Sequence, residues 1–288
     1  MDAYLEIVKR VLKKGVRKEN RTGVDTLTIF GEKFEHDMAD GFPLLTTKKV
    51  KYENVSSELE FFMKGLTDKR WLHERKNPIW NEWCNPQKVP YGQDPETKRK
   101  MAEECDLGPI YGFQWRHFGA EYKGLDADYT GQGVDQLATL VKTIKTNPHD
   151  RRMIVSAWNP VQLDQMGLPP CHYSFQVDIF DRKLHLAWNQ RSVDVMLGLP
   201  FNIASYATLL HLLAKETGYK EGTLVGNLSD TQIYVNHAKG AEEQASRKPY
   251  PLPSLKTENF SSIFDWQYTN TKVIDYQHHP FIKFPIAV

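Results

Sequence analysis

Ile203-Ala204-Ser205-Tyr206-Ala207-Thr208-Leu209-Leu210-His211-Leu212-Leu213-Ala214-Lys215-Glu216-Thr217, closed by Gly218, is the stretch whose reading decides the fold. Ala204, Ala207, Leu209, Leu210, Leu212 and Leu213 fall on several faces of a 3.6-residue period, which predicts a central helix buried on most sides. Upstream, Val177-Asp178-Ile179-Phe180 and Leu184-His185-Leu186-Ala187-Trp188 flank Asp181-Arg182-Lys183 and read as a hairpin-like pair. A buried helix beside β-rich segments predicts an α/β (α+β) chain with a mostly β-sheet core and this helix packed through it.

Working outward, Leu5, Val8 and Leu12 predict an amphipathic helix stopped at Gly15, and Thr26 to Gly31 a short strand closed by its glycine. From Val50 to Lys64, Val55, Leu59, Phe62 and Met63 recur at helical spacing, so Glu58 and Glu60 ride on or near a packing face and one of them is a candidate for burial. A helix is predicted from Asp135 to Lys145, ended by Asn147-Pro148, and a strand from Arg152 to Trp158. Residues 84–106, with Pro86, Pro90, Gly92 and Pro95, read as an inserted surface excursion. With no domain boundary in view, 1–288 is expected to be a single domain.

A chain of 288 residues that is 40% hydrophobic and 25% charged is too apolar for disorder and lacks the repeats of a fibre. Lys+Arg 37 against Asp+Glu 36 leaves a net charge of +1, which provides no general attraction for nucleic acid or an anionic membrane, so any anion site must be local. Cys84, Cys105 and Cys171 are odd in number and form no C-x-x-C, which argues against a disulfide framework or a Cys-rich zinc site and for a reducing, cytoplasmic setting with no metal. No stretch approaches the ~20 apolar residues of a spanning helix, and residues 1–14 lack the apolar core of a secretion signal.

Three motifs carry chemistry. In Pro169-Pro170-Cys171-His172 two prolines restrict the backbone that aims the thiol; Cys171 is either a pre-aimed nucleophile or an ordinary buried cysteine. A nucleophilic thiol needs cations nearby, because at its free pKa of about 8.5 little of it is thiolate at neutral pH. Arg21 in Arg21-Thr22-Gly23, Asp150-Arg151-Arg152, and Gln190-Arg191-Ser192 each present guanidinium at the edge of a regular element. Singly these are surface or salt-bridge residues; converging, they would grip a phosphate. Asn202, in Gly198-Leu199-Pro200-Phe201-Asn202-Ile203, is either a helix N-cap or an amide whose two ends read a donor and acceptor pair such as uracil N3 and O4.

Taken together these residues resemble the folate-dependent thymidylate synthase and pyrimidine hydroxymethylase family from Arg21 to Val288. The matching runs include Phe42-Pro43-Leu44-Leu45-Thr46-Thr47-Lys48-Lys49, Ile79-Trp80 with Trp83, Leu107-Gly108-Pro109-Ile110-Tyr111-Gly112, Asp128 to Leu137, and the block from Leu197 to Tyr206. The resemblance implies a homodimer packed sheet to sheet and a methyltransferase that converts dUMP to dTMP. By that resemblance Cys171 attacks C6 of uracil, and C5 then accepts the one-carbon unit of 5,10-methylenetetrahydrofolate, the co-substrate, with release of dihydrofolate. Asn202, with a water network near Glu58 and His172, serves the O4 edge, and Tyr111 and Glu58 assist proton transfers; the plainer reading of Glu58 is a salt-bridged helix residue.

The same resemblance assigns Arg21, Gln190, Arg191, Ser192, Asp194, Asn202, Gln232 and Tyr234 to dUMP, with Arg151 and Arg152 reaching into the partner's site. Lys48, Ile79, Trp80, Trp83, Leu168, Asp194, Phe201 and Ala287 are assigned to folate, and the tail from Pro280 to Val288 to closure over it. Gln232 stands where the family has His, Asn189 where it often has Tyr, and Asn81 where Asp follows the Trp. The rival within the family is a dUMP hydroxymethylase, which adds water in place of hydride. A dCMP hydroxymethylase fits less well, because members acting on cytosine carry Asp at the Asn202 position. An RNA-binding role would need a basic stripe that the balanced charge does not offer.

Overall fold

The computed structural model describes residues 1–286. Its helices are α1 (Asp2–Lys14), α2 (Tyr52–Met63), α3 (Arg70–Glu74), α4 (Pro95–Glu103), α5 (Tyr111–His117), α6 (Gln136–Thr146), α7 (Gly198–Thr217) and α8 (Ala238–Ser246). Its strands are β1 (Val16–Lys18), β2 (Thr26–Asp37), β3 (Ile154–Ser156), β4 (His172–Phe180), β5 (Lys183–Asp194), β6 (Lys220–Tyr234), β7 (Ser254–Thr257) and β8 (Thr271–Ile274). The first six form one sheet in the order β1-β2-β6-β5-β4-β3, and β7 pairs with β8 apart from it. Only β5 and β6 run parallel, and the crossover that a parallel pair requires is α7.

The helix expected at the centre is there: its residues from Ile203 to Leu210 are all buried, against β5 and β6 on one side and α2 on another. Burial alternates along β4, with Phe175, Val177 and Ile179 inward and Phe180 outward, as a half-covered sheet requires. The outward side carries Ile154 and Phe180, both about half exposed or more, at 51% and 56%. Asp181 and Arg182 join β4 to β5 with φ of 50° and 56°, the left-handed pair of a two-residue hairpin turn that matches strand twist.

Four expectations need correction. The strand at Thr26 does not close at Gly31 but continues to Asp37, because glycine at φ +83° lets the chain kink and resume pairing with β6. The strand expected from Arg152 to Trp158 shrinks to Ile154–Ser156, since Asp150 accepts the Arg152 N–H in a local turn and Ser156 accepts that of Trp158. Both Glu58 and Glu60 are buried, not one. The excursion at 84–106 is anchored as well as exposed: Cys84, Asn85 and Met101 are buried, and the ammonium of the fully buried Lys69 donates to the carbonyls of Trp83 and Met101 at 2.9 and 2.8 Å.

Candidate active site

Cys171 emerges from the two prolines immediately before β4. Its N–H donates to the Tyr111 hydroxyl at 2.8 Å and its carbonyl accepts from the Arg191 N–H at 2.8 Å. The Arg191 guanidinium then reaches back, donating from Nε to the Pro170 carbonyl (2.9 Å) and from Nη2 to the Pro169 carbonyl (2.8 Å), with Trp158 beneath it. Strand β5 thus clasps the loop that aims the sulfur. Burial pushes the Cys171 thiol up; Arg191 and then Arg21 pull it down without reversing the sign, and Asp194 adds to the rise. The cations temper the cost of burial and do not overcome it.

Glu58 projects from α2 among aromatic rings and accepts the Trp80 indole N–H at 2.7 Å. Burial lifts its carboxyl to about 7, with the indole bond opposing the shift. This disposes of the salt-bridged alternative for Glu58, while its neighbour Glu60 does pair, with Lys64 at 2.7 Å. Tyr111 on α5 stacks between Phe62 (4.7 Å between centroids) and His172 (4.4 Å). The His172 imidazole, buried and dropped to about 3 by desolvation, is neutral, and its Nδ1 lies 2.9 Å from the Tyr206 hydroxyl.

Asn202 is not an N-cap. Helix α7 begins at Gly198, so Asn202 lies in its second turn, and Pro200 fits the first turn where no N–H partner is needed. The incoming amides of Met196 and Leu197 are instead taken by Asp194 Oδ1, at 3.0 and 2.9 Å. Asn202 Oδ1 accepts from Gln190 Nε2 at 3.0 Å, which commits one of its lone pairs. Asp194 is raised by burial, against the pull of the Leu197 amide, His237, the Met196 amide and Lys48.

Arg21 sits exposed in a turn shaped by Asn20, which accepts from the Thr22 amide at 2.9 Å and donates to the Val24 carbonyl at 2.8 Å. Its charge acts against the rise of both Cys171 and Tyr234, as that of Arg191 does at Cys171. Arg151 and Arg152 stand exposed beside the edge strand β3, with Arg152 held by Asp150 at 2.9 Å. Ser192 and Gln232 lie on β5 and β6, paired with Asp230 and with Thr28 and Asp194 in turn, and Tyr234 ends β6.

Trp80 is buried, whereas Ile79, Trp83, Leu168 and Phe201 are only partly covered and pack against the core. The Asn81 side-chain oxygen beside them is buried and unpaired. Lys48 is turned inward, its ammonium on the Met196 carbonyl and 4.7 Å from the Phe284 ring centroid, and burial lowers it to about 8. The tail docks through Ile282 and Phe284, with the Pro285 carbonyl 2.7 Å from His237 Nε2; Ala287 lies outside the described residues. Among the described residues no cluster of three His, Cys, Asp or Glu is arranged for a metal, and no helix is long and apolar enough to cross a membrane.

Three partners of these groups escaped the sequence reading. Tyr206 lies one helical turn after Asn202, and Trp188 shares a strand face with Gln190; both spacings were there to be read. Tyr91 had no such signal: its hydroxyl donates to the Gly167 carbonyl and its ring meets Trp83, which folds the excursion back to the rim of the site.

The fold is that of an α/β enzyme in which a cysteine loop clasped by an arginine, a buried carboxyl and an amide held by its neighbour are set at one end of the central sheet. The chain belongs to the thymidylate synthase family, whose profile matches residues 2–288. It is 44% identical to the thymidylate synthase of Homo sapiens, over 99% of this chain and 90% of that one. It is also 43% and 45% identical to the bifunctional dihydrofolate reductase-thymidylate synthases of Paramecium tetraurelia and Leishmania major, over 99% of this chain in each case. The chain spans 61% and 55% of the length of those two bifunctional relatives.

Proposed function

We propose that the chain acts as a thymidylate synthase, converting dUMP to dTMP with 5,10-methylenetetrahydrofolate as co-substrate. The observation that carries this is the clasp: Arg191 holds the Pro169-Pro170 loop that carries Cys171, and the charges of Arg191 and Arg21 both act on its thiol. A dianionic phosphate met by Arg21, Arg191 and Ser192 would place the uracil ring against that sulfur, with Gln232 and Tyr234 left for the sugar.

Cys171 Sγ forms a bond to C6, sending the C5–C6 π electrons toward C5 and O4, and is expelled when C5 regains its double bond. Asn202 Nδ2 donates to O4 as charge gathers there. Glu58, poised near neutrality by burial, gives and takes protons at that edge with neutral His172 nearby. The Tyr111 hydroxyl would assist removal of the C5 proton, and its bond to the Cys171 amide, which fixes it beside the nucleophile, supports that role. The folate supplies the one-carbon unit and the hydride; Ile79, Trp80, Trp83, Leu168 and Phe201 would wall its ring, Asp194 would meet its polar edge, and the tail from Pro280 would exclude water.

A homodimer completes the site in this reading, each chain lending Arg151 and Arg152 to the other's phosphate. The exposed arginines beside edge strand β3 and the uncovered sheet face with Ile154 and Phe180 support it. Three free thiols suit a cytoplasmic setting. The water-adding hydroxymethylase finds no support among the relatives. The deciding experiment incubates the protein with dUMP and methylenetetrahydrofolate, weighs the pyrimidine product and follows dihydrofolate absorbance. Thymidylate with dihydrofolate is expected; hydroxymethyl-dUMP with tetrahydrofolate would overturn the proposal.

A further inference from the structure

The indole N–H of Trp188 donates to Gln190 Oε1 at 3.1 Å, and Gln190 Nε2 donates in turn to Asn202 Oδ1 and to the Ser192 carbonyl, both at 3.0 Å. We infer that Trp188 is a specificity-determining positioning residue, whose N–H sets the direction of an amide relay ending at the pyrimidine edge and so makes the site read uracil against cytosine. The inference rests on the dUMP reading above.

The direction follows from what each group is able to do. An indole N–H only donates, so the Gln190 end facing it must be oxygen; a backbone carbonyl only accepts, so the end facing Ser192 must be the NH₂. Both ends of the buried Gln190 amide are therefore determined twice over. Asn202 must then present its oxygen to Gln190, which leaves its NH₂ and one remaining oxygen lone pair for the substrate. Uracil offers O4 as acceptor and N3–H as donor, which match that pair. Cytosine offers the reverse, N4–H₂ and a bare N3, and would match an Asn202 turned over. With the relay intact, turning Asn202 over sets NH₂ against NH₂; without Trp188 only the Ser192 carbonyl still opposes the two amides turning together, so the barrier to the cytosine-reading arrangement falls.

Trp188 itself has no freedom to turn. It is fully buried, its ring lies parallel to Tyr206 at 5.3 Å and tilted against Phe34 at 5.9 Å. Gly226 on the neighbouring strand provides the space, since a Cβ there would come within 2.4 Å of the indole Cζ2. Tyr206, the other face of the stack, is also the partner of His172, so one rigid pair of rings serves two groups at the same end of the site.

The test compares wild type, Trp188→Phe and Gln190→Glu for binding of dUMP and dCMP by calorimetry and for kcat/KM on each, with thermal midpoints recorded alongside. Phenylalanine keeps an aromatic ring against Tyr206 and removes the donor, together with some buried volume whose cost the thermal midpoint reports. The expected result is a fall of roughly tenfold or more in the preference for dUMP over dCMP, with dCMP binding more tightly in absolute terms. Gln190→Glu, whose carboxylate accepts from both Trp188 and the Asn202 NH₂, should move the preference the same way, and it decides the matter if Trp188→Phe does not fold. An unchanged preference, with both nucleotides weakened equally, means Trp188 is structural only and overturns the inference while the dUMP site stands. A wild-type protein that does not bind dUMP overturns both.

Discussion

The Trp80 indole nitrogen lies 2.7 Å from Glu58 Oε1, a donor aimed at a carboxylate that burial lifts to about 7. The bond favours the charged form and restrains a shift that desolvation drives upward. Trp80→Phe removes the donor and keeps the site apolar with a smaller ring, so the Glu58 pKa should rise above about 7. The pH profile of kcat for thymidylate formation is expected to move its Glu58-dependent limb to higher pH, by roughly one unit if the bond contributes a typical charged hydrogen bond. A superimposable profile would remove Glu58 from the titrating groups of the reaction.

The same carboxyl makes a prediction about stability. Its folded pKa of about 7 exceeds the usual 4.5, so the folded state holds the proton more tightly. Between those values unfolding releases a proton; stability is greatest below about 4.5 and declines as pH rises through 7. The shift corresponds to a penalty of about 3 kcal/mol in full above pH 7, reduced by any relaxation of the site. Glu58→Gln carries no such burden. Its urea midpoint should exceed that of wild type at pH 8.5 by more than at pH 5, and an equal difference at both would mean that Glu58 is not buried as a neutral acid.

Arg191 makes a third prediction through the thiol. Its charge is the largest influence pulling Cys171 down against burial, and its fork fixes the two proline carbonyls. Arg191→Ala should therefore shift the alkylation of Cys171 by iodoacetamide to higher pH. Arg191→Lys should restore part of that shift but not the loop geometry, because one ammonium cannot imitate a fork at two carbonyls. Cys171 alkylating with the wild-type pH dependence in the alanine variant would refute the electrostatic link.

How much of this was open to reading from the residues depends on the distance over which each device works. Helix α7 was legible because its apolar residues crowd every face, and the β4–β5 turn because Asp181-Arg182 sits between alternating runs. Cys171, Arg21 and Arg191 could be singled out as candidates from their motifs, whereas Ile79 and Trp83 entered only through the family resemblance. The clasp between Arg191 and the Pro169 carbonyl was not, since it joins chain segments 22 residues apart and uses backbone atoms that carry no sequence mark. Glu58 could be placed on a packing face, yet the size of its shift depends on Trp80, brought from 22 residues away. The Asn202 N-cap reading failed for a local reason: Asp194 had already taken the incoming amides, so the helix started at Gly198, five residues before the apolar run at Ile203.

The last prediction concerns the second chain. Cys171→Ser keeps a small polar side chain at the site and should leave dUMP binding measurable while product formation stops. The double variant Arg151→Ala with Arg152→Ala removes two exposed guanidiniums, of which, among the described residues, Arg152 pairs with Asp150, so the fold should tolerate it. If each chain lends these arginines across the dimer, the two inactive proteins complement each other. A mixed dimer holds one site with a native Cys171 from the arginine variant and native arginines from the serine variant. After subunit exchange in mild urea, half of the dimers are mixed and each has one sound site of two, so about a quarter of wild-type activity should return. Two alternatives give different numbers: arginines serving their own chain leave every dimer inactive, and a site that functions without them leaves the double variant active before any mixing.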